Sequence, residues 1–286
     1  HPCFLRLTVI MLISHKRFAS FTLPGLVLFC LCVILPVILI LGEAISDKSA
    51  FGRVLSDPLF QKGLWGTIVL GTVAPLFSVA IGFCVAMALN RMKPGMRTAS
   101  LFAISLPLTF SGLIIAYGFI LAFGRAGFVT QIAALFGFDP AVVGALIYSP
   151  IGLGLAYSSY LIPRVIMILL PAVQNFDMVQ LSVARSLGAG YLRTILEVML
   201  PQILPSLVSA YCLTAAVAMG AYGTALALVG TQMNILPLLL YSKISEGGTD
   251  LPSAAAISLI LMALCCIIIA LGEVFVSSGK NRQRSS

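Results

Sequence analysis

Residues 171–201 read PAVQNFDMVQLSVARSLGAGYLRTILEVMLP, and how this stretch folds decides the reading of the rest. It lies between two long apolar runs, yet it is patterned rather than slack. Asp177 followed by Gln180 has the form of a helix start close to a capping box: the carboxylate accepts from an early backbone N–H and the amide reaches back. Val179, Val183 and Leu187 then recur at helical spacing, which predicts a short amphipathic helix. Gly188 and Gly190 follow, and glycine ends helices readily because it tolerates the left-handed conformation. A second helical run, Tyr191 to Leu200, stops at Pro201. The expected form is helix, glycine turn, helix, lying on a membrane surface.

The membrane follows from composition. The chain has 286 residues, of which 60% are hydrophobic and 9% charged, and its mean hydropathy is +1.09. Average soluble domains carry about 25% charged residues. The formal charge of +8 belongs to residues flanking apolar runs, so it reads as membrane topology rather than as a nucleic-acid footprint. The seven cysteines sit mostly inside apolar runs and have no zinc-ligand spacing, and His1 and His15 are the only histidines. They read as small buried hydrophobes; no metal site and no cofactor site is expected. Met11 precedes His15-Lys16-Arg17 and an apolar run, and residues before Met11 read as an upstream extension, an artificial addition or the product of a misassigned start. The run from Phe18 to Ala44 is too long for the apolar core of a cleaved signal peptide, so it is expected to be retained as a first span.

A bilayer-spanning helix needs about 20 mainly apolar residues. That measure predicts an all-α membrane protein with spans at Phe21–Ile45, Leu64–Leu89, Leu101–Phe123, Val143–Leu169, Ile203–Val229 and Leu251–Leu271. The organisation expected is an N-terminal segment, 1–20, a six-span unit, 21–277, carrying the 171–201 loop, and a basic tail, 278–286. Arg6, Lys16, Arg17, Arg91, Lys93, Arg97, Arg164, Arg185, Arg193, Lys280, Arg282 and Arg284 fall on one side, with only Asp177, Glu197 and Glu273. The other side has Lys48, Arg53, Lys62, Arg125 and Lys243 against Glu43, Asp47, Asp57, Asp139, Glu246 and Asp250. The positive-inside rule places the first group, both termini and the 171–201 loop in the cytoplasm. On the outer side, Phe128 to Phe136 forms a small interfacial piece, and Thr231 to Asp250 carries Asn234, Pro237 and a Gly247-Gly248 turn. Neither loop is long enough to capture a solute alone.

The 171–201 stretch resembles the cytoplasmic loop of permease subunits of type I ABC importers. That family carries Glu-Ala-Ala, three residues, Gly, nine residues, Ile, one residue, Leu-Pro. Here Ser182, Val183 and Ala184 stand at the Glu-Ala-Ala positions, Gly188 at the glycine, Val198 at the isoleucine, and Leu200-Pro201 closes the pattern. A helix merely lying on the membrane would not require the glycine and the Leu-Pro at those separations. Ser182 and Val183 depart from the pattern, so an ionic contact through the acid is lost. The resemblance implies the type I importer permease fold and a multi-pass place in the bacterial inner membrane. Its implied partners are an ABC ATPase subunit docking on Asp177, Ser182, Ala184, Arg185, Gly188, Leu200 and Pro201, an extracytoplasmic solute-binding protein, and a second permease chain, identical or related. The span layout is most similar to permeases for polyamines, iron(III) or thiamine.

The inventory agrees with energy arriving from a partner. No ionisable residue is expected deep in a span; Glu43, Arg164 and Glu273 are placed near ends, where snorkelling is cheap. Buried carboxylates or histidines, the usual proton relays of an ion-coupled transporter or channel, are lacking. Gly279-Lys280 is followed by Asn281 and completes no phosphate loop. No Ser/His/Asp or Cys/His set is present, which leaves a membrane enzyme without its catalytic groups. On the fifth span, Ser206, Ala210 and Thr214 form one small-residue row and Ala216, Gly220 and Thr224 another. Tyr211, Thr214 and Tyr222 are candidate path-lining groups whose hydroxyls and ring faces suit a cation; packing against neighbouring helices is the alternative.

Overall fold

The computed structural model describes residues 23–47, 49–230, 233–245 and 250–284, with side chains as far as Ser277. The expectations placed on His1, Met11, Lys48, Glu246, the Gly247-Gly248 turn and the side chains of the basic tail lie outside the described residues. Every regular element described is helical. Among the described residues, six helical segments are long and apolar enough to cross a membrane, one of which, Gly112–Leu135, is made of two consecutive helices.

The first, α1 (Leu23–Ser46), has a π turn at Cys30–Ile34 and none of its apolar window is buried. It packs on the last helix and otherwise presents Leu, Ile and Val outward, the surface a lipid-facing helix needs. A short amphipathic helix, α2 (Ser49–Ser56), leads to α3 (Pro58–Asn90). Asp57 caps α3 by accepting from Leu59 N at 2.8 Å, so the helix starts earlier than the apolar run does and continues unbroken through Pro75. The densest packing is between α3 and α8 (Pro150–Gln174), and α10 (Tyr191–Met219) closes against both. Leu153, Tyr157, Leu161, Val165, Leu169 and Val173 of α8 are fully buried. That run follows the 3.6-residue period, as a helix facing two neighbours requires. The final helix, α13 (Leu251–Arg284), packs on α10 and α1.

Three predicted spans are corrected. The third is broken: α4 (Pro94–Ser105) runs into a tight 3-10 turn at Leu106–Thr109, and α5 (Gly112–Phe123) starts afresh behind Ser111. Pro107 supplies no backbone donor, and Phe110 and Ser111 are extended. The fourth starts later: α7 (Pro140–Ala145) and a turn at Leu146–Tyr148 stay outside α8, whose start is fixed by Pro150 and by the Ser149 hydroxyl accepting from Gly152 N at 3.2 Å. The fifth ends early, at Met219; Gly220 and Ala221 leave the helix before α11 (Tyr222–Val229) begins. The row Ala216, Gly220, Thr224 therefore does not run along one helix. Apolar content carried the predicted spans across these breaks, because a break costs no hydrophobicity.

The pieces expected on the outer side are more ordered than a loop reading implies. Phe128–Leu135 forms α6, and Leu236–Ser245 forms α12, seated against α3 and α13. Leu236 N donates to the buried Thr67 hydroxyl at 2.8 Å, and that hydroxyl donates to Gly63 O at 2.8 Å. At this end Arg53 pairs with Asp47 at 2.8 Å and with Asp250 at 3.4 Å. At the other end Arg91 lies on the ring of Tyr191 and bonds its hydroxyl. Asp47, Arg53 and Asp250 thus meet at one end of the helix bundle, and Arg91 meets Tyr191 at the other.

Candidate functional site: a surface helix and a cavity between broken helices

The 171–201 loop folds as α9 (Val179–Ser186), a glycine turn, and the first turns of α10. Asp177 Oδ1 accepts from Val179 N at 2.9 Å, so the acid supports the helix start as its position implies. The capping box is not completed: the Gln180 side chain turns away and its oxygen accepts from Gln202 Nε2 at 2.7 Å, which ties α9 to α10 instead. Gly188 has φ +90°, the left-handed conformation that ends the helix. A Cβ there would meet nothing, so space is free and only the backbone conformation asks for glycine. Val179, Val183 and Leu187 are 64%, 54% and 84% exposed, so the apolar row points off the protein. Ser182 and Arg185 are exposed beside it, and Ala184 is half-buried. Leu200 and Pro201 sit further on, where a π turn at Ile195–Met199 sets α10 into the bundle.

The three candidate path residues are not brought together. Thr214 is fully buried and its hydroxyl donates to Ala210 O at 2.7 Å, so it serves helix packing. Tyr211 packs with the cluster around Val79, Leu169 and Ile203. Tyr222 stacks on Tyr241, with ring centroids 5.1 Å apart.

What the fold does bring together are the two helix breaks. A cavity of about 450 Å³ opens between the α4–α5 break, the α10–α11 break and α8. Gly112 and Leu113 at the start of α5 face Thr224 and Gly223 at the start of α11. The approach is so close that a Cβ on Gly112 would run into the Thr224 hydroxyl. From α8, Tyr157 Oη donates to Ala221 O at 2.6 Å, which holds the second break in place. Tyr160 and Arg164 line the cavity one helical turn apart. This corrects the expectation for Arg164. It lies well inside the Pro150–Gln174 span, roughly 15 Å of helix from the C-terminal end at 1.5 Å per residue. It has no ion-pair partner among the described residues.

With this geometry in view, the comparisons with known proteins are direct. The family described as binding-protein-dependent transport system inner membrane component matches residues 78–278, from the middle of α3 into the last turns of α13. The chain belongs to that family. A sulfate transport system permease protein, CysW, from Synechocystis sp. is 26% identical over 256 residues, covering 87% of this chain and 91% of that protein. The spermidine/putrescine transport system permease protein PotB from Escherichia coli is 26% identical over 223 residues, covering 74% and 79%. Among solved structures, a bacterial alginate ABC transporter in complex with a pentasaccharide-bound periplasmic protein aligns with TM-score 0.72 at 18% identity, covering 93% of this chain and 96% of that one. The MetNI methionine ABC transporter in inward-facing conformations aligns with TM-score 0.56 at 18% identity, covering 78% and 99%.

The permease therefore has the fold that the resemblance implied, and it is a transport component rather than an enzyme. Sequence reading found α9 and Gly188 because their signals are local. It missed the cavity. Pro107, Gly112, Gly220 and Gly223 were the available hints, but which breaks meet one another is not written in any one of them.

Proposed function

We propose that this permease forms, with a second permease chain, the path of an ATP-driven importer across the inner membrane. An ABC ATPase subunit receives α9 in a surface groove from the cytoplasm, and an extracytoplasmic solute-binding protein delivers the solute at the end bearing Asp47, Arg53 and Asp250. The observation that carries this reading is the exposed apolar row Val179, Val183 and Leu187 on a helix whose exit angle is set by Gly188. An unpartnered row of this kind on a membrane protein's polar end is a docking edge. Asp177 holds the helix start, Ala184 permits close approach, Arg185 reaches the partner, and Leu200-Pro201 anchors the following helix. Ser182 has replaced the family's acid, so its change to alanine should matter little. Both termini are proposed to be cytoplasmic.

The solute is a small one. The likeness to polyamine permeases supports the polyamine, iron(III) or thiamine class read from the span layout; the likeness to sulfate permeases supports an inorganic oxyanion. The cavity favours the second, since its one charged lining group is Arg164.

The test is a cysteine at position 184 in a background without the native cysteines, with the ATPase subunit co-expressed. A crosslink that forms in membranes and weakens when ATP is bound is the expected result. Absence of any crosslink, together with full uptake by Gly188→Val, would show that α9 is only a surface helix.

A further inference from the structure

The cavity between the two breaks has an unbalanced hydrogen-bond inventory. The carbonyls left over where α4 and α10 end are largely taken: Leu106 O accepts from the Thr109 hydroxyl at 2.7 Å, Pro107 O from Phe110 N at 3.3 Å, Ala216 O from Gly220 N at 3.2 Å, Ala218 O from Ala221 N at 3.2 Å, and Ala221 O from Tyr157 Oη at 2.6 Å. The donors are not. The first N–H groups of a helix have no intrahelical acceptor. At α11 no side chain caps them, and at α5 the Ser111 hydroxyl reaches only Ile114 N, at 3.4 Å. Gly112, Leu113, Tyr222, Gly223 and Thr224 thus keep free N–H groups among the described residues. Both helix starts carry the positive end of their dipoles.

Two side chains from α8 add to this. Tyr160 is 8% exposed, lines the cavity, and its hydroxyl has no hydrogen-bond partner among the described residues. The Thr224 side chain is close, yet no hydrogen bond of acceptable geometry joins the two. Arg164 brings a full positive charge into a span with no acid to meet it. A buried unpaired hydroxyl is costly, and an arginine that is part-buried inside a membrane span normally faces its counter-ion. Nothing in the cavity lining supplies one: it contains no Asp or Glu.

We propose that this cavity is an anion site on the transport path, taking a small oxyanion such as sulfate or phosphate. The inference rests on the permease reading and names the solute class within it. Arg164 supplies the charge, Tyr160 Oη a hydroxyl donor, and the starts of α5 and α11 a double row of backbone N–H donors. Broken membrane helices whose positive ends aim at an anionic group are a recurrent solution to binding charge at mid-membrane. A polyamine would meet a cation and free donors here, with no carboxylate to receive it.

The test uses the full chain in phosphatidylcholine nanodiscs, with thermal unfolding followed at constant ionic strength in chloride, sulfate, phosphate or spermidine. Sulfate or phosphate should stabilise the wild type relative to chloride, and spermidine should not. Arg164→Gln should weaken the oxyanion response by about tenfold or more, and Tyr160→Phe by several-fold, because each removes a donor to a charged group. Arg193→Gln, at the surface, should leave it intact. Tyr160→Phe keeps the ring and serves if Arg164→Gln does not fold. An oxyanion response that both Tyr160→Phe and Arg164→Gln retain overturns the site, as does stabilisation by spermidine that Arg164→Gln leaves intact. A phospholipid headgroup has the same chemistry. If it were the occupant, the sulfate response would vanish in discs containing phosphatidylglycerol, and that too would overturn the assignment. The crosslink from position 184 is independent of these outcomes, so a failed anion site leaves the permease reading standing.

Discussion

The surface helix α9 and the cavity between the helix breaks present opposite solutions to one problem, how a membrane protein meets something it does not contain. At α9 the unmet groups are apolar and exposed: Leu187 is 84% exposed and has no neighbour to cover it. At the cavity the unmet groups are polar and recessed: Tyr160 Oη is buried without a partner among the described residues. An exposed apolar row is satisfied by another protein surface, and a recessed donor set by a small anion. The comparison teaches that the two sites are also built differently. α9 is set by contacts within about thirty residues, whereas the cavity needs α5, α8 and α11 brought together from distant parts of the chain.

The sharpest way to break the comparison is at the turn beside α9. Gly188→Val forces a β-branched residue to φ +90°, a strain of about 1–3 kcal/mol that swinging α9 relieves. Membrane insertion should survive, because no span is touched, while ATP-driven uptake should fall almost to background; Gly188→Ala should be milder. Uptake into vesicles, measured beside ATP hydrolysis, separates uncoupling from misfolding.

Gly112→Val is the counterpart at the cavity. Its side chain would push into Thr224 and separate the two helix starts, at about 1–3 kcal/mol of overpacking. Here α9 is untouched, so crosslinking from position 184 should persist while transport falls. Loss of both together would mean that the two regions are not separable.

Thr67→Val sharpens the same contrast outside both sites. It leaves the Leu236 N–H buried without its acceptor, a cost of about 1–3 kcal/mol. The expected result is lower thermal stability with the crosslink and the oxyanion response of the folded protein unchanged. A change in either response would tie α12 to function.

The smallest expected effect is a pH dependence at the end of the bundle that carries Asp47. Ser49, through its hydroxyl and its backbone N–H, and then Arg53, hold the Asp47 carboxyl down, from 3.8 to about 2. A lowered pKa means that the charged form is favoured by the fold. That contribution is present above 3.8 and is lost as pH falls through about 2. Hydrogen exchange at the amides of α2 should quicken over that window, and Asp47→Asn should remove the pH dependence. The Asp47 network bears on neither α9 nor the cavity, so uptake at neutral pH should hardly change.

Much of this was legible in the sequence. Six apolar runs gave the membrane class, because burying backbone in lipid demands helices of about 20 apolar residues. The spacing from Ala184 through Gly188 to Leu200-Pro201 gave α9, its turn and the family. These signals are local: periodicity, a glycine at a turn, the length of a run. Even so, the third and fifth spans were read as unbroken, since Pro107 and Gly220 lower no hydropathy. Arg164 was placed near an end, because the span was expected to stop at Leu169, whereas α8 continues through Pro171 to Gln174.

Sequence alone determined that this chain crosses the membrane repeatedly and carries a helix–glycine–helix loop, because hydrophobicity and backbone conformation are properties of neighbouring residues. Only the tertiary structure decided that Tyr160 and Arg164 face two helix starts across one cavity, and that Thr214 packs instead of lining a path. The physical reason is that a donor counts as free only when its surroundings fail to satisfy it. Those surroundings are assembled from residues more than a hundred positions apart.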